Sequence, residues 1–235
     1  MKKQTIDKKK TLQNFFSNFY ILIFACVLLV AAAVKMAFTL STKNATGTWK
    51  VILVADTITA VLSAATLFVF YMSGDGKSKG GLKTSSIMFL VSSSASIITQ
   101  FFVLTYFATF DNIILLFLIF IAFSVQTIFQ LFFAITITRS VLKNTFITTG
   151  ALPFAAFKAA SVVFAVLVYT TDTSVVNLEL FKSPLIATNM LSTVYPQLAF
   201  FTFIATSLTF SAFALLYNKY AEDAKKNEEE CADIR

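Results

Sequence analysis

Two neighbouring apolar runs decide the fold: FFSNFYILIFACVLLVAAAVKMAFTL at residues 15–40 and WKVILVADTITAVLSAATLFVFYM at residues 49–72. Each run is long enough to cross a bilayer as a helix, and a short polar turn joins the two. One charged residue stands well inside each run, Lys35 in the first and Asp56 in the second. Because a charge in hydrocarbon is costly, both side chains are expected to face the bundle interior and to pair with each other. The sequence therefore predicts a membrane hairpin with a polar inner face.

The composition of the whole chain agrees with a membrane protein. Of the 235 residues, 57% are hydrophobic and 13% are charged, and the mean hydropathy is +0.77. The charged share is about half of that in soluble domains. The chain therefore leaves little room for a separate soluble domain.

Further apolar runs predict four more helices, at residues 85–107, 113–137, 145–169 and 185–217. The predicted fold class is an all-α integral membrane protein, a bundle of six transmembrane helices with both termini cytoplasmic. Its predicted organisation is a basic N-terminus, a six-helix transmembrane domain and a charged cytoplasmic tail that forms a solvated extension, at residues 1–14, 15–217 and 218–235.

The orientation follows from the distribution of positive charge. Of the 19 Lys and Arg residues, fourteen lie in the N-terminus, the second and fourth loops and the tail, whereas the other loops hold only Lys43, Lys50 and Lys182. Such an excess marks the cytoplasmic side, so the sequence predicts a multi-pass protein of the plasma membrane. A secretory signal peptide is the alternative for the start of the chain, with Ala31-Ala32-Ala33 as the cleavage site. The apolar run continues to Leu40, which favours a retained helix.

Polar residues inside the predicted helices are candidates for a ligand site or a polar interior. Spacings of four residues place Ser92, Ser96 and Gln100 on one face, and Gln126 and Gln130 on another. Hydroxyl groups at such positions are also expected to bond between packed helices. The full candidate set is Lys35, Asp56, Gln100, Gln126, Lys158, Asn189, Tyr195 and Gln197.

Pro196 predicts a kink or a break in the last helix. Proline has no N–H and clashes with the preceding turn, which frees a backbone carbonyl. Tyr195 and Gln197 are then expected to face an interior gap.

Several function classes have little support in the sequence. The chain has no histidine, no acidic pair and no metal-ligand spacing, so we expect no catalytic residue, no metal and no cofactor. Its two cysteines, Cys26 and Cys231, are expected to be unpaired thiols. Nucleic-acid binding is not expected, because the positive charges lie at helix ends and in alternate loops.

Two functions remain. The first is a transport-type or substrate-binding membrane subunit with a polar site in the outer half of the bilayer. The alternative is a non-catalytic structural or accessory subunit of a larger membrane complex, supported by alanines spaced for close helix packing, such as Ala33 and Ala37. The expected partners are membrane lipids, other membrane subunits and a small-molecule ligand. The plan of six helices with both termini inside is similar to that of the substrate-binding subunits of energy-coupling-factor vitamin transporters. The similarity lies in this plan alone, and no sequence motif supports it.

Overall fold

The computed structural model describes residues 8–41, 47–74, 81–107, 113–170 and 194–233. Within these ranges the chain is helical and contains no strand, which confirms the all-α prediction for this part of the protein. The seven described helices are α1 (Lys8–Phe16), α2 (Phe19–Ser41), α3 (Gly47–Gly74), α4 (Gly81–Phe107), α5 (Ile113–Lys143), α6 (Ala151–Thr170) and α7 (Val194–Asp233).

Three stretches of these helices are long and apolar enough to cross a membrane: Phe19–Ala37, Thr57–Gly74 and Phe201–Asn227. They are compatible with a membrane protein. The number of spans and the side on which each terminus lies stay predictions.

The first apolar run is not one helix, contrary to the prediction for residues 15–40. Helix α1 ends at Phe16 and α2 begins at Phe19, with Ser17 and Asn18 between them. The Asn18 side-chain oxygen accepts the backbone N–H of Tyr20 at 2.9 Å, so Asn18 caps the N-terminus of α2. Its amide nitrogen also donates to the Tyr220 hydroxyl at 2.9 Å, which ties this break to α7.

The six long helices form a closed ring in chain order. Each packs on the helices before and after it, and α7 packs on α2 to complete the ring. The short helix α1 packs on α3 and α7 at one end. We call this the basic end, because it also holds the exposed Lys83, Arg139 and Lys143.

The core lies at the basic end and is built largely from aromatic rings. Phe213 of α7 lies at its centre, with ring centroids 6.0 Å from Phe15 of α1 and 5.7 Å from Phe133 of α5. Phe133 in turn stacks on Phe154 of α6 at 5.0 Å. The aromatic cluster is defined as the buried residues Phe15, Phe16, Phe70, Phe89, Phe133, Phe154, Phe213 and Tyr217. Six of the seven described helices contribute to it, so burial of these rings fastens them together.

The connection between α5 and α6 folds back along α5 instead of continuing as the helix predicted from residue 145. Asn144 adopts a left-handed φ of 49°, and the N–H of Thr145 bonds to the Ser140 carbonyl at 3.2 Å, which is a Schellman-type helix end. Gly150 has a φ of 90° and lies against Phe132 and Phe133. Helix α6 therefore begins beside the middle of the aromatic cluster.

Tyr217 binds this connection from α7. Its hydroxyl bonds to the Ser140 hydroxyl, and it donates to the Ile147 carbonyl at 3.0 Å. The N–H of Ile147 lies 3.3 Å from the same oxygen. One side chain thus satisfies both backbone groups of a non-helical residue, a requirement wherever backbone is shielded from water.

Beyond Tyr217 the chain remains helical, whereas a solvated extension was predicted from residue 218. Asn218, Ala221 and Ala224 are buried, so the first two turns still pack on the bundle. Further on the helix is solvated, and Lys225 and Glu229 form an exposed ion pair at 3.7 Å.

Pro196 is the third residue of the described α7. Proline is tolerated in a first helical turn, because that turn's N–H groups have no intrahelical partner. The residues just before α7, where the predicted kink would join it, lie outside the described part.

Candidate functional site

Lys158 is a buried cation on α6. It follows Phe154 by one turn and is 8% exposed. Its ammonium nitrogen lies 5.7 Å from the centroid of the Phe154 ring, within reach of a cation–π interaction. The aromatic cluster therefore supplies a favourable surface under this charge.

Lys35 on α2 is the second buried cation, 9% exposed. Lys35 lies on α2 and Lys158 on α6, and in the ring α7 stands between these two helices. Two of the residues predicted to form a polar interior are thus buried in the described bundle.

Gln130 on α5 lies at about the level of Lys158. Phe133 and Phe154 stack on each other, which aligns α5 with α6 at that height. Gln130 precedes Phe133 by three residues and Lys158 follows Phe154 by four, so on antiparallel helices both lie about one turn, roughly 5 Å, further from the basic end.

The side-chain oxygen of Gln130 is shielded from solvent and has no hydrogen-bond partner among the described residues. Such atoms are rare in folded proteins, because an unsatisfied buried acceptor costs about 1–3 kcal/mol. The sequence showed that Gln130 shares a helical face with Gln126, but the candidate set contained only Gln126. No sequence signal reveals that an amide oxygen lacks a donor.

Two serines on the polar faces of the helices, Ser92 and Ser161, bond to carbonyl groups of their own helices. Ser92 donates to the Phe89 carbonyl at 3.0 Å, and Ser161 donates to the Lys158 carbonyl at 2.7 Å. Thr138 also bonds within its helix and lies 3.1 Å from the Ser86 carbonyl of α4. Only the contact of Thr138 with α4 agrees with the expected bonding of hydroxyls between packed helices, whereas Ser92 and Ser161 bond within their own helices.

For the other predicted site residues the structure gives at most the helix on which they lie. Asp56 is on α3, Gln100 on α4, Gln126 on α5, and Tyr195 and Gln197 on α7, but their side chains and the whole of Asn189 lie outside the described part. The pairing of Lys35 with Asp56 and the interior gap beside Tyr195 and Gln197 therefore stay predictions.

Two further kinds of site are a metal centre and an apolar groove. Among the described residues, no three His, Cys, Asp or Glu side chains are grouped to hold a metal ion. A groove of about 390 Å³ runs between α2 and α7, and its lining is almost entirely apolar. Its walls are Cys26, Val27, Val30, Ala31, Val34, Phe201, Thr202 and Ala205.

A comparison of the chain with known protein families, curated proteins and solved structures finds no significant match.

Proposed function

We propose that the chain is a six-span protein of the plasma membrane with cytoplasmic termini that serves as a transport-type or substrate-binding subunit. The observation that carries this proposal is the burial of two lysines, Lys35 and Lys158, on the helices of one ring. Ionisable residues within apolar helices are costly and commonly mark the pathway or binding site of a ligand. On the proposed orientation Lys158 lies near the middle of the bilayer, and Lys35 lies in its outer half or near it.

The binding role is tested by purifying the protein from native membranes and identifying the small molecules that come with it. We expect Lys158→Met to lose the bound molecule, because methionine fills the space but carries no charge. Lys143→Met is the matched control, since it removes an exposed lysine at the basic end. If Lys158→Met leaves both the bound molecule and the cellular activity unchanged, Lys158 is not part of a site.

The topology is tested by cysteine labelling. Cys26 and Cys231 are first changed to serine, and single cysteines are then placed at Gly76 and at Thr173. We expect the two positions to react from opposite sides of intact cells, because the distribution of Lys and Arg places them on opposite sides. Labelling of both from outside would exclude the six-span arrangement.

The accessory-subunit function is a second candidate, supported by the groove between α2 and α7. Its apolar lining is suited to a transmembrane helix of a partner subunit, and the nearby Ala33 and Ala37 are exposed. A bulky Val30→Trp change in the groove should release a partner that co-purifies in equal amount. Leu215→Trp, at an exposed position elsewhere on α7, should retain it.

A further inference from the structure

Positive charge is distributed unevenly over the basic end. On α7 the exposed Lys219 is followed three and four residues later by Glu222 and Asp223, which offset its charge. On α4 and α5 the exposed Lys83 and Arg139 have no such counterpart, because neither helix contains an acidic residue. The outer surface of α4 and α5 at this end therefore carries an unbalanced positive charge, which attracts anions.

A contact between α4 and α5 places these two cations beside the same seam. The Thr138 hydroxyl oxygen lies 3.1 Å from the Ser86 carbonyl oxygen. Lys83 precedes Ser86 by three residues and Arg139 directly follows Thr138, so on these antiparallel helices both lie within about 5 Å of the contact, towards the basic end. Since packed helices are about 8–10 Å apart, the two long side chains can reach one phosphate group between them.

Lys83 occupies an unfavourable position in its own helix. It lies in the first turn of α4, where the unpaired N–H groups already give a partial positive charge, and no acidic residue offsets it there. The preceding link holds Asp75 together with Lys77 and Lys79, so its sequence brings no net negative charge. The positive-inside rule favours lysines at this end but does not require one in the first turn of a helix. A bound anion would stabilise both Lys83 and the helix end.

An exposed apolar surface continues from the two cations along both helices. Ile87 and Val91 follow Lys83 by one and two turns of α4, and Ile128 precedes Arg139 by about three turns of α5. A soluble anion would contact the cations and leave this surface unused. A phospholipid with a negatively charged headgroup fits both parts, because its acyl chains extend from the headgroup along the apolar faces.

We propose that Lys83 and Arg139 bind the headgroup of an anionic phospholipid whose acyl chains lie along the exposed apolar faces of α4 and α5. The lipid phosphate lies between the ammonium and guanidinium groups, which donate charge-assisted hydrogen bonds to its oxygens. This inference goes beyond the proposed function. It does not involve the buried lysines and requires only that the bundle lies in a bilayer.

The test compares phosphatidylglycerol with phosphatidylcholine, added at equal mole fraction to delipidated protein in a neutral detergent. A ligand that binds the folded state raises Tm, and we expect the larger rise with phosphatidylglycerol. Lys83→Gln and Arg139→Gln should each weaken phosphatidylglycerol binding about fivefold, since each removes one basic contact with the headgroup. The double variant should lose the whole excess over phosphatidylcholine. Lys219→Gln is the matched control and should retain it.

Three results would overturn the proposal: equal shifts with the two lipids, an excess that persists in the double variant, or an equal loss in Lys219→Gln. Glycerol 3-phosphate, which has no acyl chains, is tested at the same phosphate concentration, and a shift equal to that of phosphatidylglycerol would identify a soluble anion instead. Both residues are exposed, so the variants are expected to fold, and the single variants decide the matter if the double variant does not. Failure here leaves the proposed function standing, because Lys158 and its ligand are not involved.

Discussion

The basic end and the level of the buried lysines differ in the side chains that fill them. At the basic end, rings from six helices interlock, and Tyr217 satisfies both backbone groups of Ile147. One turn further in, Lys158 and the shielded oxygen of Gln130 lie inside the bundle, and Lys35 is buried on α2. The difference teaches that apolar packing holds the helices together at the basic end, whereas polar groups are buried further in.

The largest expected effect comes from breaking the aromatic cluster at Phe133, whose buried ring stacks on Phe154 and contacts Phe213. Phe133→Ala should lower the free energy of unfolding by about 3–5 kcal/mol, because it removes apolar contact and leaves a cavity. The adjacent Phe132 is 52% exposed, so Phe132→Ala should cost less than about 1 kcal/mol. Thermal unfolding in detergent measures the loss of stability in both variants. Equal losses would mean that the cluster is not the core.

The lysine level is tested through the predicted pair of Lys35 and Asp56. Lys35→Ala and Asp56→Ala should each cost about 3–5 kcal/mol, because each leaves the other charge buried without its partner. The double change of Lys35→Met with Asp56→Leu should cost much less than either single change. Unfolding measurements on the three variants decide the matter, and additive losses would show that the two residues do not interact.

A smaller effect is expected where α3 meets the break between α1 and α2. A Cβ atom on Gly74 would clash with the backbone nitrogen of Ser17, so the backbone there would have to move. Gly74→Ala should therefore cost about 1–3 kcal/mol through displacement of α1. Met72→Ala, at a position that is 58% exposed, is the control. If the Gly74→Ala variant were as stable as the unmodified protein, α1 would not pack on α3 at this position.

The smallest expected loss of stability comes from removing one hydroxyl group at the basic end. Tyr217→Phe keeps the ring in the aromatic cluster and removes only the hydroxyl that bonds to Ser140 and Ile147. A loss of about 1–2 kcal/mol is expected, because buried partners lose their hydrogen bond. Combined with Ser140→Ala, the loss should be less than additive, since both changes remove the same bond. Strict additivity would contradict the bond.

Apolar length predicted most of the helices well. Residues 49–72 and 85–107 fall within α3 and α4, whose bounds extend the predictions by two to four residues at some ends. The break at Asn18 was missed because hydropathy averages over a single capping residue. The helical tail was not predicted, because many charges surround Tyr217, Ala221 and Ala224 and mask their spacing. That spacing places the three residues on one helical face.

The connection before α6 was misassigned for a different reason. Residues 145–149 are apolar and hydroxyl-rich, so they continue the hydrophobic run although their backbone is not helical. Gly150 and Pro153 carried the relevant signal, because a positive φ favours glycine and a first helical turn tolerates proline.

The candidate site was predictable in part. The burial of Lys35 and Lys158 follows from the rule that charges avoid lipid, and both are buried in the structure. The places of their helices in the ring could not be predicted, because spacing along one helix does not determine which helices are neighbours. Gln130 required atomic detail, since only the fold shows that its oxygen has no described donor.

The contacts between the two ends of the chain have a consequence for biogenesis. Leu12, Phe15 and Phe16 are synthesised long before Phe213, Tyr217 and Tyr220, yet Phe15 packs on these three residues. Tyr220, the hydrogen-bond partner of Asn18, is likewise synthesised 202 residues later. During synthesis from the N-terminus, the part of α1 that packs on α7 therefore stays uncovered until the ring closes, although Phe16 can already stack on Phe70 of α3. A chain truncated before α7 would display that face permanently, which gives proteases and chaperones a direct way to distinguish incomplete molecules from finished ones.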